Sequence, residues 1–195
     1  MLEGILVDLV PFGQDFGKLM GDWMNGPAAY WANVGDRPIA SRAMIEHWLE
    51  GRNAAQHGPA RIEFGVRTKS GKPIGQMGVN FTSDAHRWAN LGVVIGNPTY
   101  WGGGYGTDGF ILLVDYLFTW LDLRRIYVET MASNVRVQRM MDKLEFTFEG
   151  RRRAMWYADG SWQDALVYGV LCNEWPGRAT LVEKLGLRAR PEPEA

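Results

Sequence analysis

Five glycines, Gly102, Gly103, Gly104, Gly106 and Gly109, crowd the stretch from Tyr100 to Gly109, directly ahead of the apolar run Phe110–Phe118. A glycine-rich loop at a helix start exposes successive backbone N–H groups where the helix dipole also favours negative charge. The segment is therefore a candidate phosphate cradle. The plainer reading of such a cluster is a turn that needs positive φ and nothing more. A nucleotide-hydrolysing loop needs a Lys after its last Gly, and Thr107-Asp108 follow Gly106 instead. Gly104-Tyr105-Gly106-Thr107-Asp108-Gly109 does satisfy the GxGxxG spacing of a dinucleotide site, with Glu129 at about the ~20-residue separation of its ribose-binding acid. The setting argues against that match, because Gly96 to Gly103 intervene between the preceding strand and the first motif glycine. A dinucleotide-dependent enzyme stays as an alternative.

Other reactive side chains are sparse. The lone Cys172 and the scattered His47, His57 and His86 offer no disulfide and no metal-ligand spacing, which leads us to expect a metal-free, cytoplasmic protein. His86 is either a cleft-edge group or a solvated loop residue. Asp164 is a candidate base, although pairing with the run Arg151-Arg152-Arg153 is its other fate. Arg136, Arg139 and Lys143 share one helix face, either reaching for phosphates or forming a solvated basic stripe. Trp23, Trp31, Trp88 and Trp156 line a pocket or fill the core.

The elements that must position these groups follow from periodicity. Leu2–Val10 reads as a first strand, then helices over Gln14–Met24 and Ser41–Gln56, with a loop holding Pro27, Tyr30, Trp31 and Pro38 between them. Arg61–Thr68 and Pro73–Phe81 form a hairpin around Ser70-Gly71-Lys72, and Trp88–Ile95 is the next strand. Phe110–Phe118 is a buried helix, Arg125–Met131 a strand, and Asn134 caps a helix with Val137, Met140, Met141 and Leu144 on its apolar stripe. Phe146–Tyr157 and Trp162–Cys172 close the chain as a hairpin around Asp159-Gly160. The order implies a mixed α/β (α+β) sheet flanked by helices rather than strict βα alternation. With 195 residues, we expect a single domain over 1–175 and a partly flexible C-terminal extension over 176–195.

Taken in order, Leu91-Gly92-Val93-Val94-Ile95, then Pro98-Thr99-Tyr100-Trp101-Gly102-Gly103-Gly104-Tyr105-Gly106-Thr107-Asp108, then Asn134, Lys143 to Gly150, Asp164 and Glu174-Trp175 resemble the GNAT N-acetyltransferase superfamily. The branch typified by ribosomal-protein N-terminal acetyltransferases is the most similar, over roughly Ile5 to Trp175. The superfamily's Arg or Gln before the glycines is Trp101 here, a departure from the general rule that suits this branch.

The resemblance implies an acyl-CoA N-acyltransferase fold, with about seven mostly antiparallel strands, a splayed central pair and about four helices. It implies acetyl-CoA as cosubstrate, with the pyrophosphate on Trp101, Gly102, Gly103, Gly104, Tyr105, Gly106 and Thr107. The pantetheine arm lies along Val93, Val94 and Ile95, and Asn134, Arg136 and Arg139 are further cofactor contacts. Acyl transfer to an amine needs a positioned donor, a neutral amine and stabilisation of the oxyanion. The Ile95 backbone amide is the candidate for the acetyl carbonyl. Asn90 stands where many relatives carry a Glu and would hold a water, Asp164 is a substitute base, and Met141 stands where many relatives carry a proton-donating Tyr. The loss of both groups leaves a non-catalytic acyl-CoA-binding module as the alternative to an N-acetyltransferase.

Charge and composition bound the partners. Lys+Arg 21 against Asp+Glu 22 gives a net charge of -1, so no global field draws the chain to nucleic acid or an anionic membrane. Glu3 and Asp8 argue against a signal peptide, and Asn90, Asn97, Pro98 and the glycines interrupt the uncharged window Trp88–Thr107 too often for a spanning helix. The expected partners are an amine acceptor, as a small molecule or a protein N-terminus, and a second copy of the chain. The homodimer expectation rests on Phe148, Met155, Trp156, Trp162, Leu166 and Tyr168 of the closing hairpin, more apolar bulk than one sheet face needs.

Overall fold

The computed structural model describes residues 1–36, 39–55 and 62–193; His57 and the expected element ends at Gln56 and Arg61 lie outside the described residues. Where one strand is expected over Leu2–Val10, the chain forms β1 (Leu2–Glu3) and β2 (Val7–Pro11). The reason is a buried acid. Asp108 Oδ2 accepts from the N–H groups of Leu6 and Val7 at 2.6 and 3.0 Å and holds the turn between the two strands.

Helices α1 (Gln14–Asn25), α2 (Pro27–Ala32) and α3 (Arg42–Ala55) follow. The expected loop around Tyr30 and Trp31 is thus a short helix, because Pro27 stands at its first position, where a missing N–H starts a helix instead of breaking one. Strands β3 (Glu63–Thr68), β4 (Pro73–Ser83) and β5 (Trp88–Ile95) precede helix α4 (Tyr105–Trp120). Strand β6 (Arg125–Met131), helix α5 (Val135–Lys143), the hairpin β7 (Thr147–Ala158) and β8 (Ser161–Leu171), and helix α6 (Arg178–Lys184) complete the chain.

The strands form one sheet in the order β1-β2-β3-β4-β5-β6-β8-β7, and every neighbouring pair is antiparallel except β5 with β6. The class is the expected one, with eight strands for about seven and six α-helices for about four among the described residues. The surplus comes from the divided first strand, α2 and α6. On one face α4 buries Phe110, Ile111, Leu113, Val114 and Leu117 against Leu9, Val66, Ile74, Met77 and Ile126. Each such side chain contributes about 1.5–3 kcal/mol by leaving water. Strand alternation turns Gly65 the other way, against Phe16, which with Met20 and Trp23 anchors α1 on the opposite face.

The segment 176–193 is docked onto the domain. Asp115 Oδ1 accepts from Trp175 Nε1 and from Arg178 N–H, each at 3.2 Å, while Leu181 of α6 is buried in the core. No helix among the described residues is long and apolar enough to cross a membrane.

Candidate active site

Strands β5 and β6 pair only through Trp88↔Arg125, Ala89↔Ile126 and Asn90↔Tyr127, then part. Each keeps its other neighbour to the end, β5 on β4 as far as Ile95 and β6 on β8 as far as Met131. A bulge at Asn80 of β4, between the pairs Val79↔Leu91 and Phe81↔Asn90, lies at the level where they part, and a bulge increases local twist.

Register decides which backbone groups face the gap. Gly96 N–H donates to Ile74 O at 2.8 Å, so the antiparallel alternation makes 75/95, 77/93 and 79/91 the pairs that do not bond each other. The N–H and C=O groups of Leu91, Val93 and Ile95 therefore point away from β4; the Leu91 N–H closes the last parallel pair on the Tyr127 carbonyl, and the groups of Val93 and Ile95 face the gap. Those of Val94 point toward β4, and Val94 offers the gap its side chain only. The Ile95 carbonyl accepts from Trp101 Nε1 at 2.7 Å, which closes the loop onto the strand end and leaves the Ile95 N–H facing the opening.

Beyond Ile95, Asn97 caps a 3₁₀ turn over Pro98–Tyr100, and the glycine loop begins. Gly102 (φ 74) and Gly104 (φ 83) occupy the left-handed region that disfavours side chains. No side chain caps the N-terminus of α4, so its first-turn amides point outward as free donors at the mouth of the gap. Gly106 in that turn faces Ile95 across the cleft end.

The cleft so formed has a volume of about 810 Å³. Trp101, Gly106, Asn134 and Arg136 line its end at the glycine loop, together with Val93, Val94 and Ile95, while Trp31, Met44, Trp48 and Phe81 line it toward α2 and α3. Asn134 both lines it and caps α5, accepting from Val137 N–H at 3.3 Å. The Arg136 guanidinium carbon lies 4.3 Å from the Trp101 ring centroid and 5.8 Å from that of Trp31, joining α5, the glycine loop and α2.

Several expected residues stand elsewhere. Asp164 does not line the cleft; Arg151 Nη1 at 3.1 Å and Ala154 N–H at 2.8 Å bond its two oxygens on the β7–β8 hairpin. Arg139 is exposed outside the cleft, and the Tyr105 ring is buried edge-on against Tyr100, leaving only its backbone to the loop. Asn90 lies beneath the cleft floor. Its Oδ1 accepts from Asn80 Nδ2 at 3.0 Å and its Nδ2 donates to Tyr127 O at 3.3 Å. Met141 is fully buried and Met140 lines the cleft in its stead. His86 is exposed on the β4–β5 turn, and Trp23 is buried against Gly96.

Glu129, which the sequence pattern offers only as a dinucleotide ligand, lines the cleft two residues past the last β5–β6 pair, with Arg152 Nη1 at 3.0 Å from its Oε1. Its position on the same strand face as Arg125 and Tyr127 is the sequence signal that could have found it. Burial, then the Glu129 charge, raises the Tyr127 phenol above its ordinary range, so it stays a neutral hydroxyl at physiological pH.

A parallel strand pair that splays ahead of an uncapped, glycine-rich helix start is the acyl-CoA N-acyltransferase architecture. Residues 7–147 match the acetyltransferase (GNAT) domain, and the chain belongs to that family. It is 30% identical over 111 residues to an uncharacterised N-acetyltransferase of Bacillus subtilis (strain 168), covering 56% of this chain and 62% of the relative. A second B. subtilis protein, provisionally named a ribosomal N-acetyltransferase, is 27% identical over 116 residues, 60% of this chain and 62% of its own. The matches thus span under two thirds of either relative. The crystal structure of a Vibrio cholerae spermidine N-acetyltransferase in complex with CoA and spermine superposes with a TM-score of 0.78 at 20% identity, covering 87% of this chain and 97% of that one. That likeness is one of fold.

Proposed function

We propose that the protein transfers an acetyl group from acetyl-CoA to a primary amine by direct attack. The parting of β5 and β6 after Asn90 and Tyr127 carries this reading. It turns the N–H groups of Val93 and Ile95 into a gap that ends at the uncapped amides of α4. These groups fit the cosubstrate: an extended, amide-bearing arm adds to a strand edge, and an anionic end suits a helix N-terminus. Bound there, acetyl-CoA supplies the activated acyl group.

The chain's own residues then have distinct tasks. The Leu91 carbonyl and the backbone of Val93 hold the arm, and the Ile95 N–H donates to the acyl oxygen, where negative charge develops. Asn134 and Arg136 bound the α5 side. Glu129, on the cleft wall and oriented by Arg152, accepts the proton that the amine must lose, since amine pKa values run from about 7.7–8 at a chain N-terminus to about 10.4 for lysine. Trp31, Met44, Trp48 and Phe81 enclose the acceptor end, and the spermine held by the V. cholerae neighbour supports a small amine as acceptor.

The test is thiol release from acetyl-CoA with a panel of polyamines, amino sugars and short peptides, with mass spectrometry of the products. An acetylated amine is the expected result. A second reading, a non-catalytic acyl-CoA-binding module, is favoured by Asn90 lying under the floor and Met141 in the core. Tight CoA binding with no turnover across the panel would establish it.

A further inference from the structure

After α6 the chain turns back across the start of α4. A side chain on Gly104 would begin 3.4 Å from Leu187 Cδ2, so the tail lies against the glycine loop. Arg190 follows, its guanidinium carbon 5.4 Å from the Tyr105 ring centroid. Two residues on, Glu192 Oε1 accepts from Ser70 N–H at 3.0 Å and ties the tail to the β3–β4 turn.

The loop's three consecutive glycines have separate explanations. Gly102 and Gly104 are required by their positive φ, whereas Gly103 has no such conformation. What Gly103 provides is room: a side chain there would begin 2.9 Å from Arg190 Nη2, and also 3.0 Å from the Tyr105 ring. The guanidinium therefore lies against the loop, beside amides that no side chain caps. Arg190 is exposed and, among the described residues, has no carboxylate partner. Other cations near the loop stand over aromatic rings, Lys72 at 5.4 Å from the Tyr100 centroid and Arg136 at 4.3 Å from that of Trp101. A planar, permanently charged fork beside free amides forms a local anion site on a chain whose net charge is -1.

We propose that Arg190 is a binding residue for the phosphate groups of CoA, so that segment 185–193 completes the cofactor site. This rests on the reading of the glycine loop as the place of CoA. Calorimetry with CoA, dephospho-CoA and phosphate-free pantetheine, on wild type, Arg190→Ala and Arg190→Lys, tests it. Arg190→Ala should bind CoA about tenfold more weakly, with a shallower salt dependence, while Arg190→Lys falls between and pantetheine binding does not change. A loss that persists with dephospho-CoA assigns Arg190 to the diphosphate, and one that vanishes assigns it to the 3′-phosphate. Wild-type CoA affinity and salt dependence in Arg190→Ala overturn the proposal while leaving the glycine loop as the CoA site. Failure of wild type itself to bind CoA overturns both.

Discussion

Asn80 Nδ2 donates to Asn90 Oδ1 at 3.0 Å, across the level at which β5 leaves β6. Asn90 passes the link on through its own Nδ2 to the Tyr127 carbonyl at 3.3 Å, so the two asparagines pin the apex of the splay. Asn90 is 6% exposed, and its truncation removes both of these bonds at the point where the strands part. Asn90→Ala should cost about 1–3 kcal/mol, lowering Tm by several degrees in calorimetry, with CoA affinity nearly intact. An unchanged Tm together with a large loss of kcat would instead return Asn90 to the chemistry.

The glycine loop separates two substitutions that look alike in sequence. Gly104 holds φ 83 at the start of α4, and even Ala there strains the turn that aims the amides. Gly106 has no positive φ, and a Cβ on it would meet Ile95 Cγ1 at an ordinary 3.5 Å. Gly104→Ala should weaken CoA binding about tenfold or more, whereas Gly106→Ala should change it by less than threefold. Gly106→Val, which carries bulk into the cleft end, should behave like Gly104→Ala. Equal effects of the two alanines would remove the conformational argument.

Glu129 supplies the third test. Glu129→Gln keeps the shape of the cleft wall and a hydrogen-bonding oxygen for Arg152 but cannot take a proton. The expected outcome is a fall in kcat of about 10²-fold or more, a lost acidic limb in the pH–rate profile and unchanged CoA affinity. An intact kcat with a raised KM for a polycationic amine would make Glu129 a substrate-binding charge instead.

What sequence could show, and what it could not, divides along physical lines. Strand β5 spans the predicted Trp88–Ile95, and the glycine loop and Asn134 cap stand where local pattern puts them, because φ preference and capping are decided within a few residues. Helix α2 was hidden because Pro27 reads as a breaker until its neighbours show it to be a first-turn residue. Asp164 and Glu129 show a different limit. Both are acids on strands, and only the pairing of β6 between β5 and β8 places one in the cleft and the other beside Arg151. Arg190 lies more than eighty residues from the loop it touches, a distance no local pattern bridges.

The tail's anchor is sensitive to pH. Burial works against the Glu192 charge, but hydrogen bonds from Thr68 and Ser70 and the Lys72 charge prevail and hold its carboxyl below the ordinary range. A depressed folded-state pKa means that docking is stabilised above the unfolded carboxylate pKa and loses that contribution as pH falls through the folded value. Amide exchange at Ser70 should therefore be protected near neutrality, after correction for the intrinsic exchange rate, and lose protection in acid, below about pH 4. Glu192→Gln should flatten that dependence. Persistent protection in acid would show that Leu185 and Leu187 hold the tail without Glu192.

The closing hairpin carries the last prediction. Phe148, Met155, Tyr157 and Trp162 are 53%, 45%, 61% and 64% exposed, and Tyr157 and Trp162 meet edge to face at a centroid distance of 5.4 Å. The C-terminal helix that could have covered them packs on α4 instead, with Leu181 in the main core. The patch lies on the edge strand β7 and, through Trp162, on the start of β8, and the hairpin tip touches the turn after α2, where Gly35 lies against Ala158. Apolar side chains gathered at one edge are the usual mark of a self-complementary interface. We therefore expect a homodimer through the hairpin, close enough to Trp31 for assembly to affect the acceptor end of the cleft. Trp162→Glu should shift light scattering toward the 22.0 kDa monomer and change KM for the amine more than CoA affinity. A wild-type protein that stays at 22.0 kDa as it is concentrated would leave these aromatics as exposed surface and the acceptor end complete in one chain.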